Sequence, residues 1–181
     1  VQIGLTNHGS TQHNDAMKLT ASFALLSLAV FAFAGSLKSD IVANEAKMSA
    51  ALSKGDMAKF KSLMQPKVTA DFKYVEEGQE MTFDQMFTTM KQGFGQMKGV
   101  KATSKLQKLT EKGDSATGVT LRSMSWVQVG KDKKKHTMTY VGTTTDTYVK
   151  VNGDWKMSRM VWSDTKFTKD GKPAKPEEMM G

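Results

Sequence analysis

The stretch that decides the fold is Thr145-Asp146-Thr147-Tyr148-Val149-Lys150-Val151-Asn152-Gly153-Asp154-Trp155-Lys156-Met157. Asn-Gly flanked by alternating residues is the signature of a two-residue type I′ turn, whose two left-handed positions match the twist of a hairpin. With Asn152 and Gly153 at the turn centre, Val151 faces Asp154, Tyr148 faces Met157, Asp146 faces Arg159, Thr144 faces Val161 and Gly142 faces Ser163. Side chains alternate across a strand. One face therefore carries His136, Met138, Tyr140, Asp146, Tyr148, Trp155, Met157 and Arg159. The other carries Thr137, Thr139, Val141, Thr143, Thr145, Thr147 and Val149, and this register adds Met160 and Trp162 to it. The bulky first face is expected to be concave.

Working outward, the same period of two predicts long strands over 101–111, 116–129, 136–150 and 155–168. They are separated by Gly113-Asp114, the Gly130–Lys135 loop and Asn152-Gly153. Alternation in the strand before the hairpin adds Arg122, Met124 and Trp126 to the concave face. Upstream the period changes to that of a helix. Phe83, Met86, Phe87, Met90, Phe94 and Met97 form one apolar stripe behind Thr82 and Gln85, which have capping-box spacing. A shorter alternation, Val68, Ala70, Phe72 and Tyr74, predicts a half-buried strand. Before it, Ile41, Met48, Ala51 and Leu52 share a helical face that Gly55 ends. Asp56 caps a second helix with Met57, Phe60, Leu63 and Met64 inward. Helices followed by an antiparallel meander predict an α+β domain over 38–168, a curved sheet wrapped around N-terminal helices. Residues 169–181 are polar and Pro-containing and read as a flexible tail.

The first 34 residues read differently. Residues 1–16 are polar and without apolar period, and are expected to be an upstream extension. Residues 17–34 have the form of a signal peptide: Lys18, an uncharged run from Leu19 to Phe33, and Ala32-Phe33-Ala34 as the small-x-small cleavage pattern. The run is short of the about 20 apolar residues a span needs. Cleavage after Ala34 predicts an exported domain, periplasmic or secreted, with no stable membrane anchor.

The composition excludes several chemistries. There is no cysteine, so disulfides, thiolate nucleophiles and thiolate metal sites are absent. The histidines are His8, His13 and His136, too scattered for a histidine metal centre. No metal and no cofactor is expected. The net charge is +8, but the lysines are spread, and the dense run Lys131–Lys135 sits in a loop between strands, where solvated charge is the ordinary case. An exported chain has little access to nucleic acid, so none is expected as a partner. No phosphate-cradling glycine loop or Ser-His-Asp set occurs.

Three stretches together resemble a known family: Ser53-Lys54-Gly55-Asp56 after the opening helix, Thr69-Ala70-Asp71-Phe72, and the closing hairpin quoted above. The chain resembles the nuclear transport factor 2-like superfamily in its SnoaL-like branch of bacterial domains, over essentially all of 38–168. The resemblance implies a cone-like α+β barrel with a pocket between sheet and helices, and often a homodimer formed through the sheet. It leaves function open among isomerases, dehydratases, cyclases, epoxide hydrolases and non-catalytic binding modules. No complete catalytic set of the family is present, so no catalytic residue carries over.

The pocket candidates are Arg122, Trp126, Tyr140, Asp146, Tyr148 and Arg159, with the 83–97 helix as lid. Asp146 and Arg159 could bind an anion, act as acid and base, or form a structural cross-strand pair. A paired Asp146 would be a poor base. Tyr140 and Tyr148 could donate to a ligand oxygen or be satisfied core tyrosines. His136 is expected at the exposed rim. The favoured function is an exported module binding an apolar small molecule. The alternative is a cofactor-free acid/base enzyme, an isomerase, dehydratase or cyclase acting on an apolar oxygenated molecule.

Overall fold

The computed structural model describes residues 36–175. The described residues from Lys38 onward belong to one compact unit. The expectations for the extension over 1–16 and the signal segment over 17–34 lie outside the described residues.

Two α-helices come first. α1 (Ser36–Ser53) buries Ile41, Glu45, Met48 and Ala51 on one face. Gly55, at φ +69, makes the turn out of it. Asp56 then caps α2 (Met57–Met64), its side chain accepting from the Lys59 amide at 2.9 Å. A 3₁₀ turn at Gln65–Lys67 carries Pro66. The strand β1 (Val68–Glu76) turns through Glu77-Gly78 into β2 (Gln79–Met81). Thr82 and Gln85 form the capping box of α3 (Phe83–Phe94). The meander follows as β3 (Lys98–Lys112), β4 (Ser115–Val129), β5 (Lys135–Val151) and β6 (Asp154–Lys169). A two-residue β7 (Lys172–Pro173) pairs with β6.

The sheet order is β2-β1-β6-β5-β4-β3. β1 runs parallel to β6, and every other neighbouring pair is antiparallel. The domain is α+β as expected, with N-terminal helices on a curved sheet that does not close: β2 and β3 remain as edges. No helix among the described residues is long and apolar enough to cross a membrane.

The hairpin turn has the form its sequence demands, with Asn152 at φ 54 and Gly153 at φ 87. The expected register holds for Val151↔Asp154, Lys150↔Trp155, Val149↔Lys156 and Tyr148↔Met157. It then shifts, because a β-bulge puts Ser158 into β6 without a partner, and Thr147 meets Arg159. A one-residue slip moves every later side chain to the other face. The expected pairing of Asp146 with Arg159 is therefore corrected: Asp146 faces Met160, and Thr144 faces Trp162. Met160 and Trp162 move from the outer face to the inner one, and Val161 moves outward. A second bulge follows, where Asp164 takes φ 52 and Tyr140 comes to face Phe167.

Two other expectations change. The tail read as flexible from residue 169 continues as structure to residue 175: Asp170 turns the chain and accepts from the Thr137 amide at 2.8 Å, and Lys172–Pro173 pair with β6. His136 is held between Asp132 at 3.0 Å and Asp170 at 2.7 Å, with 13% of its side chain exposed, so it is not a bare rim histidine.

Candidate functional site

The helices and the inner face of the sheet enclose a cavity of about 420 Å³. α1 contributes Glu45, Met48 and Leu52, and α2 contributes Phe60 and Met64. α3 contributes Met86, Met90, Gly93 and Phe94. The sheet contributes Tyr74, Glu76, Arg122, Met124, Tyr140, Met160 and Trp162, and Met81 and Met97 also line the cavity. The apolar stripe of α3 thus divides. Phe83 and Phe87 stack on each other, with Lys61 lying 4.9 Å over the Phe87 ring, while Met86, Met90 and Phe94 face the cavity. Methionine is unbranched and polarisable, so walls made of it adapt to different shapes.

Two polar clusters interrupt this lining. The first is built on Arg122 in β4. Its guanidinium takes the Glu45 carboxylate in a fork, Nη1 to Oε2 at 2.5 Å and Nη2 to Oε1 at 2.9 Å. Nη2 also donates to Asp146 Oδ2 at 3.0 Å, and Nε donates to Thr144 Oγ1 at 3.0 Å. Asp146 is fully buried below it and accepts from Thr120 Oγ1 at 3.2 Å. Burial pushes the Asp146 carboxyl upward, against the lowering pull of Arg122 and with the help of Glu45. Burial works to lower the Arg122 value, but Glu45 and Asp146 outweigh it and keep the guanidinium charged. The cluster ties α1 to β4 and β5 by buried charge, and breaking such an arrangement costs more than forming it gains.

The second cluster is Glu76 between two tyrosines. Tyr74 donates to Oε2 at 2.5 Å, and Tyr140 donates to Oε1. Burial first, then the Glu76 charge, raises the Tyr74 hydroxyl well above its ordinary value. Burial and the hydrogen bond to Glu76 do the same to Tyr140. Both hydroxyls stay neutral donors at any ordinary pH. Behind Tyr140 the aromatic stack continues to Trp162, 5.2 Å away, and Phe167, 4.4 Å away. Trp162 lies flat because Gly142 leaves it room: a Cβ there would come within 2.8 Å of the indole ring.

Of the residues read from sequence as pocket candidates, Arg122 and Tyr140 line the cavity. Asp146 does not line it but touches Arg122. Tyr148 and Trp126 are buried without lining it, and Trp126 packs in a side core with Val100 and Met138. Arg159 is on the outer face, 45% exposed and bound to Glu80 at 3.1 Å. Glu45, Tyr74 and Glu76 were not among the candidates. Position could have found them. Glu45 falls four residues after Ile41 and three before Met48, inside the apolar stripe of α1. Glu76 continues the alternation Phe72, Tyr74 by one step. Among the described residues, no cluster of histidine and carboxylate groups could hold a metal ion.

A SnoaL-like domain model matches residues 37–161. Similar solved structures include a nuclear transport factor 2-like superfamily protein from Salmonella enterica serovar Typhimurium, 16% identical with a TM-score of 0.51, over 77% of this chain and 92% of that one. A putative scytalone dehydratase from Novosphingobium aromaticivorans is 16% identical with a TM-score of 0.51, over 71% of this chain and 81% of that one. A hexachlorocyclohexane dehydrochlorinase, LinA type 2, is 14% identical with a TM-score of 0.53, over 77% of this chain and 95% of that one. At these identities the likeness is one of fold. No curated protein matches the sequence.

Proposed function

The chain belongs to the SnoaL-like domain family, and we propose that its domain binds an apolar small molecule in the cavity between helices and sheet. One observation carries this reading. The cavity is walled by methionine and aromatic side chains, and its few polar groups converge within it, which is the ordinary make-up of a small-molecule site. Each titratable group that lines it already has a partner: Glu45 with Arg122, and Tyr74 and Tyr140 with Glu76. A binding module needs no free acid or base, whereas a catalyst needs one poised near working pH. Mass spectrometry of small molecules retained by the full chain tests the proposal. Gly93 lines the cavity, so Gly93→Phe should fill it and release them; retention by that variant would count against the cavity as the site.

The second reading is a cofactor-free elimination or isomerisation. The observation favouring it is Glu76, a carboxylate lining the cavity with two hydroxyl donors against it. Two of the similar structures are named for a dehydratase and a dehydrochlorinase. Conversion of a bound molecule by the full chain, abolished by Glu76→Gln with binding retained, would decide for it.

Export belongs to the same proposal and is supported by Lys18, the uncharged run Leu19–Phe33 and Ala32-Phe33-Ala34. Sequencing the N-terminus of protein from its host tests it; retention of residues 19–33 would defeat it. Pairing of two copies through the outer sheet face is a further part, supported by the threonines of β5 with Val161 beside them. Sedimentation at micromolar concentration tests that, and a strict monomer would remove it.

A further inference from the structure

We propose that the cavity selects an apolar cation, a hydrophobic amine or ammonium whose charge sits against Glu76. This inference rests on the small-molecule reading above and adds the charge of the ligand to it.

Negative charge outweighs positive at the cavity wall. The charged groups lining the cavity are Glu45, Glu76 and Arg122, with Asp146 directly beneath. Arg122 spends its donors on Glu45, Asp146 and Thr144. It offers little to an incoming anion. Glu76 is held only by the two tyrosine hydroxyls, and no salt bridge reaches it among the described residues. Each carboxylate oxygen has two lone pairs. Tyr74 and Tyr140 occupy one on each, and both oxygens can accept again. If Asp146 holds a proton, Glu45 and Arg122 cancel and Glu76 is the residual charge. If Asp146 is ionised, the negative excess is larger. In either state the cavity is negative, and a cation entering it loses water but gains a counter-charge.

The walls suit such a ligand. The stacked Tyr140 and Trp162 rings border the cavity beside Glu76, and aromatic faces attract cations. Methionine sulfur is polarisable and covers an apolar body without competing for the charge. The chain as a whole carries +8. Nonspecific attraction would therefore favour anions, so a preference for a cation must come from the cavity.

Three probes of one shape and different charge test the proposal: adamantylammonium, adamantanol and adamantanecarboxylate, titrated calorimetrically into the full chain. The ammonium should bind about tenfold or more tighter than the alcohol, with the carboxylate weakest. Glu76→Gln should shrink the ammonium's advantage over the alcohol, and an undiminished advantage in a variant that still melts cooperatively would overturn the role of Glu76. The comparison on the unaltered chain stands whether or not the variant folds. Equal binding of ammonium and alcohol, both lost in Gly93→Phe, would overturn the charge preference and leave the small-molecule reading intact. Tightest binding of the carboxylate would overturn the preference outright. No binding of any probe would count against both.

Discussion

Replacing Arg122 by methionine keeps the volume of the side chain and removes its charge. Glu45 and Asp146, 4% and 0% exposed, would then face each other with no cation between them. Removing one partner of a buried ion pair costs about 3–5 kcal/mol, and Arg122→Met should lose that much in urea unfolding at neutral pH. The sign of the pH dependence follows from Asp146. Its folded value is raised by burial, so the folded state holds a proton that the unfolded state has released. The contribution favours folding at low pH and is lost as pH rises from 3.8 toward the folded value. The deficit of Arg122→Met should shrink in acid. His136 gives a second test with the opposite kind of partners. Hydrogen bonds that His136 donates to the Asp170 and Asp132 carboxylates raise it above 6.5, and the same bonds lower both aspartates below 3.8. The histidine contribution is full below pH 6.5 and lost as pH rises through its folded value; the aspartate contribution is lost as pH falls through theirs. Melting curves of His136→Gln should lag the unaltered chain most between about pH 4 and 6.5 and converge in alkali. At this scale the sequence was half legible. Arg122 and Tyr140 followed from alternation because β4 and β5 pair without a break along their whole length. Glu45 and Glu76 were passed over because they are charged, although the periods of α1 and β1 place them inward.

The helices and the long strands were legible as elements because each carries its own punctuation. Thr82 and Gln85 form the predicted capping box, and Asn152 and Gly153 form the predicted turn. β2 and β7 were not, since strands of three and two residues have no period to read. The bulge in β6 was not either. Ser158 is an ordinary strand residue, and it lies where β1, pairing in parallel along the same stretch, is itself irregular between Val68 and Lys73. Deleting Ser158 removes the extra residue itself, so Met157, Arg159 and Met160 would follow one another opposite Tyr148, Thr147 and Asp146, and Met160 and Trp162 would stay inward. The deletion variant should keep its near-ultraviolet circular dichroism and cooperative unfolding. Loss of both, with strand signal kept, would mean that the bend of the bulge is needed for side-chain packing as well as its residue count.

Across the whole sheet, the two open edges are handled differently. β2 is three residues long, which offers little to pair with. β3 is fifteen residues long and lies at the other end of the order. It carries Lys98, Lys101, Lys105, Lys108 and Lys112, and lysines along an edge discourage another strand from adding to it. Five of the chain's 26 lysines and arginines lie along this one edge. Lys101 and Lys105 are exposed. The double variant Lys101→Val, Lys105→Val should form larger assemblies as its concentration rises, seen as earlier elution in size exclusion. A variant that elutes as the unaltered chain does would show that bending of the edge, not its charge, keeps it free.

β6 changes parity twice. Its inward residues are Met157, then Met160 and Trp162, then Thr165 and Phe167, with Ser158 and Asp164 as the extra residues. The chemistry of one wall is thus set by where those insertions fall, as well as by which residues are written there. Moving the first by a few positions would exchange Met160 and Trp162 for Arg159 and Val161, replacing an indole and a thioether with a guanidinium and an isopropyl group. No residue would have been substituted. A descendant of this gene could put a guanidinium into its cavity wall by one codon gained beside Ser158 and one codon lost after Trp162. In an alignment the event would look like a neutral gap.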